Sequence, residues 1–179
     1  ILDCRPEYQI NCDSNCNGFA YVGAMHDSFP HALMLSHMGY NAFALIYRVD
    51  DTYHPYDDLA RAISYVETHA DELGVARKGY SLWDGSAGAR MAATLGNATT
   101  LTRYCGKDTP QAVAVIIQYT GYSHTSRADA PTYACVGTSD GIAADWHTMQ
   151  DRLQTLKGYG GQAANNRVSF YRKLQQGYF

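Results

Sequence analysis

The sequence predicts an α/β fold, a mostly parallel, doubly wound sheet with helices on both faces, in one domain over residues 1–179. Short apolar runs alternate with longer segments of helical spacing, which is the signature of βαβ units. Four of the runs are nearly continuously apolar, as strands covered on both faces are. A chain of 179 residues with 46% hydrophobic content can bury one core, but not two comfortable ones.

In chain order, "EYQINC" (7–12) is a candidate strand and "SFPHALMLSHMG" (28–39) carries helical spacing. "NAFALIYRV" (41–49) reads as a strand, and "YDDLARAISYVETHADELG" (56–74) as an amphipathic helix. "GYSLWD" (79–84) is a strand that runs almost directly into the small-residue helix "AGARMAATLG" (87–96). "AVAVIIQYT" (112–120) and "TYACVG" (132–137) are strands, "DWHTMQDRLQTLKGYG" (145–160) a helix, and "VSFYRK" (168–173) a weaker strand. Glycines that close these helical segments suit left-handed C-terminal caps. In such a sheet the working groups collect at the carboxyl ends of the strands. Those ends are residues 12–23, 84–88, 119–130, 138–144 and 174–179.

A net charge of −3, with 14 basic residues spread thinly, leaves no Lys/Arg stripe for a phosphate backbone, so nucleic acid is not an expected partner. No apolar run approaches the ~20 residues that cross a bilayer, and the first residues lack a signal-peptide pattern. A soluble chain is expected, cytoplasmic or secreted after processing, without membrane contact. Oligomeric state is not legible. The cysteines, at 4, 12, 16, 105 and 135, are odd in number and lack C-x-x-C spacing, which argues against a disulfide framework and a zinc cage. Cys135 reads as a buried inert thiol. Cys12 and Cys16 could pair in an oxidising compartment. The 15 tyrosines are dispersed and supply core and surface area rather than a binding stripe.

The informative stretch is "LWDGSAGAR". Small residues flank Ser86, and Gly88 follows two positions on, as a nucleophile held in a strained strand-to-helix turn requires. The helix that follows would aim its unbonded N–H groups at an oxyanion. Asp84 stands where the G-x-S-x-G pattern has glycine. The alternative for Ser86 is an ordinary helix N-cap. Asp140 follows a strand and precedes a helix, in the order serine then acid; its alternative is a turn or capping aspartate.

Together, "GFAYVGAMHDSFPHA", "GYNAFALIYRV", "DLARAISYVETHADELGV", "GYSLWDGSAGARMAA", "QYTGYS" and "PTYACVGTSDGIA" resemble the α/β-hydrolase family of bacterial acetyl-xylan and feruloyl esterase-like carboxylesterases. The similarity runs from about residue 16 to the C-terminus. It implies an α/β-hydrolase fold, here shorter than usual, which points to absent upstream strands. It implies hydrolysis of small acyl or aryl esters, such as acylated plant carbohydrate, by serine acyl transfer without metal or organic cofactor. Ser86 then matches the nucleophile and Asp140 the acid that orients a histidine.

The same resemblance gives one oxyanion donor to the Ala87 N–H and the second to a glycine-rich stretch that here reads "DSNCNGF". Only Gly18 remains of it, with Cys16 and Asn17 where glycines are expected. The base falls in a motif resembling L-x-H-G-F, and the chain ends "KLQQGYF", so Gln176 stands at the histidine position. A glutamine cannot accept the proton. His124, in "TGYSHTS", and His26, beside the oxyanion stretch, are candidate substitutes. His147 reads as a surface residue at a helix start, and His31, His37, His54 and His69 have no functional reading. Asp84 would repel developing negative charge, or else simply face solvent at a strand end. The competing function is that of a catalytically impaired relative that binds a ligand or partner.

Overall fold

The computed structural model describes residues 8–12, 22–25, 28–49, 54–138, 140 and 146–168. In chain order the described elements are β1 (Tyr8–Cys12), α1 (Ser28–His37), β2 (Asn41–Leu45), α2 (His54–Thr68), α3 (Ala70–Leu73), β3 (Ser81–Gly85), α4 (Ser86–Leu95), α5 (Ala98–Cys105), β4 (Ala114–Gln118), β5 (Thr132–Gly137), α6 (Trp146–Gly158) and β6 (Ala163–Val168). The strands form one sheet in the order β2-β1-β3-β4-β5-β6, with every pairing parallel. All six carboxyl ends therefore lie along one edge.

The chain steps outward from β1 to β2, then crosses back over β1 to β3 and proceeds in one direction to β6. Because parallel crossovers are right-handed, the reversal puts α1 and α2 on opposite faces. The packing agrees. The His31 ring of α1 lies 5.2 Å from the Trp83 ring, whereas a Cβ added at Gly96, just past α4, would strike the Val115 side chain. Register pairs Trp83 with Ile116 and Leu82 with Val115, so Trp83 and Val115 point to opposite faces. The core lies on the α4 side, where Leu82, Val115, Ile117, Ala134 and Val136 are buried with Leu59, Ile63, Met91 and Leu95. No helix among the described residues is long and apolar enough to cross a membrane.

Several elements depart from the sequence reading. The last strand is Ala163–Val168, not 168–173, of which 169–173 lie outside the described residues. Its polar "AANNRV" is tolerated because β6 is the outermost strand in the order and pairs on one side only. Helix α5 was not expected, since its Thr-rich segment has weak helix propensity; the Asn97 side chain caps it, accepting from the Thr99 and Thr100 N–H groups at 3.1 and 3.2 Å. Gly39, Gly74 and Gly160 are left-handed, but Gly96 has φ −70°. It is needed for close approach to Val115 and leads at once into α5. Among the four strands whose burial is described, β3 is nearly covered on both faces, β2 is half-buried throughout, and β4 and most of β5 bury alternate residues. Cys135 is half-buried rather than buried, and that burial still pushes its thiol pKa up. Cys16 lies outside the described residues.

Beyond β2, the chain is fastened to α2 by Asp58, which accepts from the Arg48 backbone N–H at 2.9 Å and from its guanidinium Nη2 at 2.7 Å. The Arg48 hydrogen bonds hold the Asp58 carboxyl below the ordinary value of 3.8. A depressed folded pKa means that the pair contributes fully above that ordinary value and is lost as pH falls through the lower, folded one. Asp58→Asn is therefore expected to cost about 0.5–1 kcal/mol at pH 7, Arg48 being half exposed. In urea melts across pH, the difference from the parent should shrink as pH falls below 3.8 and vanish once Asp58 is protonated in the folded state as well.

Candidate active site

Strand β3 ends at Gly85 in extended conformation, φ −109° and ψ 164°, and the next residue, Ser86, has φ +49°. A left-handed backbone costs an L-residue roughly 1–2 kcal/mol, and such outliers collect at functional sites. The reversal of strand order between β1 and β3 places this turn at the topological switch point, the place where open parallel sheets bind their ligands. Ser86 is half-buried, while Ala87, Gly88 and Ala89 of the first α4 turn are buried. These small residues let α4 pack close against β3. The first N–H groups of α4, that of Ala87 among them, have no intrahelical acceptor. With the helix dipole they make the region beside Ser86 favourable for negative charge.

Asp140 lies three residues past β5, its N–H donating to the Gly137 carbonyl at 3.2 Å. One strand, β4, separates β5 from β3, so the two strand ends stand about 10 Å apart on the same edge, two strand spacings of ~4.8 Å. The sheet thus brings Ser86 and Asp140 to one edge. Asp84 does not face solvent: it is 6% exposed, and its Oδ1 accepts from the Gly85 N–H. That carboxylate is built into the base of the turn.

His124 follows β4 and is exposed. It lines a groove of about 410 Å³ with Ser123, Thr125, Thr148, Asp151, Arg152 and Thr155, a group that includes neither Ser86 nor Asp140. His147 is exposed at the start of α6, its ring 3.7 Å from that of Trp146. Asn17, Gly18, His26 and Gln176 lie outside the described residues.

The sequence reading missed the anchor of the loop after β4. Arg152 of α6 is 2% exposed; its Nη2 meets Asp129 Oδ2 at 3.0 Å, and its Nε donates to the His124 carbonyl at 2.9 Å. Burial pulls the Arg152 pKa down, and Asp129 opposes this. Asp129 also accepts from Thr125 Oγ1 at 2.8 Å and from Asn97 Nδ2, while the centre of the Tyr122 ring lies 5.8 and 5.9 Å from the guanidinium carbons of Arg90 and Arg152. These partners lie far apart in sequence and carry no local signal.

The chain has the α/β-hydrolase fold. It superposes on an alpha/beta hydrolase enzyme from a Medee basin deep-sea metagenome library with a TM-score of 0.77 and 18% identity, covering 92% of this chain and 69% of that one. A carboxylesterase from Lactobacillus plantarum gives 0.75 and 18%, with coverage of 92% and 71%. An acetyl ester-xyloside bifunctional hydrolase from Caldicellulosiruptor lactoaceticus gives 0.75 and 18%, with coverage of 97% and 80%. No protein-family model and no curated protein sequence matches the chain.

Two outcomes follow from this geometry. Ser86→Gly removes the Cβ from a left-handed position and Ser86→Ala keeps it, so the glycine variant should be more stable than the alanine variant by about 1 kcal/mol in urea denaturation. Asp129→Ala leaves the Arg152 charge buried and unpaired, and should cost about 3–5 kcal/mol in the same measurement. A loss below 1 kcal/mol would mean that Arg152 reaches water.

Proposed function

We propose that the protein is a carboxylic-ester hydrolase acting on small acyl or aryl esters, with acylated plant carbohydrate as one source. The observation that carries this reading is the left-handed backbone at Ser86, between a buried parallel strand and the N-terminus of a helix of small residues. The esterases among the structural neighbours support the substrate class.

In the proposed reaction, Ser86 Oγ attacks the ester carbonyl carbon, and the Ala87 N–H, with a donor from the Asn17–Gly18 stretch, stabilises the resulting oxyanion. The tetrahedral intermediate expels the alcohol with a proton. Water then hydrolyses the acyl-serine and releases the acid. Asp140 orients and stabilises the group that carries the proton.

That group is where a second reading arises. Gln176 occupies the position the resemblance gives to histidine, and an amide cannot shuttle a proton at neutral pH. His124 and His26 are the substitutes to test. Without a base, the crevice and its donors leave about 10³-fold acceleration over water, and the chain would serve as a binding relative of the esterases.

Turnover of p-nitrophenyl acetate by the parent, Ser86→Ala and Gln176→His chains decides between the readings. An active esterase loses turnover with Ser86→Ala and with either His124→Ala or His26→Ala. A disabled one has trace turnover that Gln176→His raises by about 10²–10⁴-fold. Turnover unchanged by Ser86→Ala would refute both versions of the serine mechanism.

A further inference from the structure

Ser86 is not the only non-glycine residue at this edge with a left-handed backbone: Tyr119 has φ +34°. The two are neighbours by register. Gly85 pairs with Gln118, so Ser86 and Tyr119 are the first residues past the paired ends of adjacent strands. The Tyr119 N–H remains on the ladder to β5, donating to the Cys135 carbonyl at 2.9 Å. Its side chain goes the other way. A Cβ built on Gly85 would run into the Tyr119 ring at its hydroxyl end, so the phenol occupies the space a side chain at 85 would need. Tyr119 is thereby held by the strand that leads to Asp140 and leans on the turn that carries Ser86.

We propose that Tyr119 is a positioning residue: its ring, seated on Gly85, braces the Ser86 turn in its left-handed state and sets the turn's spacing from the acid's strand. The kinetic consequence rests on the serine-hydrolase reading; the conformational one does not. The bracing also explains why glycine stands directly before the serine although its own φ of −109° is open to any residue. The reason is space, not backbone freedom.

The test follows labelling of Ser86 by a fluorophosphonate, read by mass spectrometry, and the 13Cα and 13Cβ shifts of Ser86, which report its backbone conformation. Tyr119→Ala should slow labelling by about 10²-fold, the cost of a misplacement near 1 Å, and should move the Ser86 shifts out of the left-handed range. Tyr119→Phe, which keeps the ring, should restore both. Gly85→Ala pushes a methyl into the ring and should give the same two changes from the opposite side, so the test survives if Tyr119→Ala does not fold. Unmoved Ser86 shifts in both Tyr119→Ala and Gly85→Ala would overturn the proposal, whatever the labelling rates. If the parent is not labelled at Ser86, the esterase reading fails while the shifts still decide the bracing: displaced shifts sustain it, and unmoved ones end it.

Discussion

One constraint organises the molecule: β3 must stop at Gly85 and become α4 at Ser86 without an intervening loop. An extended residue at φ −109° is followed at once by one at φ +49°, and the helix turns back over the sheet it has just left. Such a reversal is unfavourable by itself and persists only where its surroundings over-determine it. Here they do. Strand β3 is clamped by β1 and β4, Ala87, Gly88 and Ala89 are buried, and Asp84 accepts from the Gly85 N–H. The half-buried Ser86 is thus supported on every side by packed or paired backbone.

The rest of the edge is arranged around that turn by parallel topology. Since every strand runs the same way, Asp140 reaches the edge that carries Ser86, with β4 between them. The segment after β4 runs back to the start of β5. It contains no helix between Gln118 and Thr132, and it is fixed instead by the buried Arg152–Asp129 pair and by Asn97, whose side chain both caps α5 and donates to Asp129 and Ser126. A polar network of this kind, drawn from several elements at once, holds one conformation where an apolar loop would permit several.

Much of the fold was legible because apolar strand runs announce themselves. "TYACVG" reads as a strand over 132–137 and is one, and the loops at the carboxyl ends follow from the strands. Polar "AANNRV" hid β6, and the threonines of 98–105 hid α5, because composition is a weak guide where pairing or a cap decides. The candidate site divides the same way. The tight turn at Ser86 was legible since small neighbours around a serine have a steric meaning. The burial of Asp84 was not, because an aspartate at a strand end defaults to solvent, and only the tight turn brings the Gly85 N–H within its reach. Tyr119 carried no signal: its contact with Gly85 exists only once β3 and β4 are in register.

The most direct measurement of the central claim is a crystal structure of the chain after reaction with diethyl p-nitrophenyl phosphate. The account predicts phosphorus bonded to Ser86 Oγ, a phosphoryl oxygen on the Ala87 N–H, and the Asp140 carboxylate in the same crevice. An unmodified Ser86 whose hydroxyl turns into the protein, or a phosphoryl group on another residue, would contradict it.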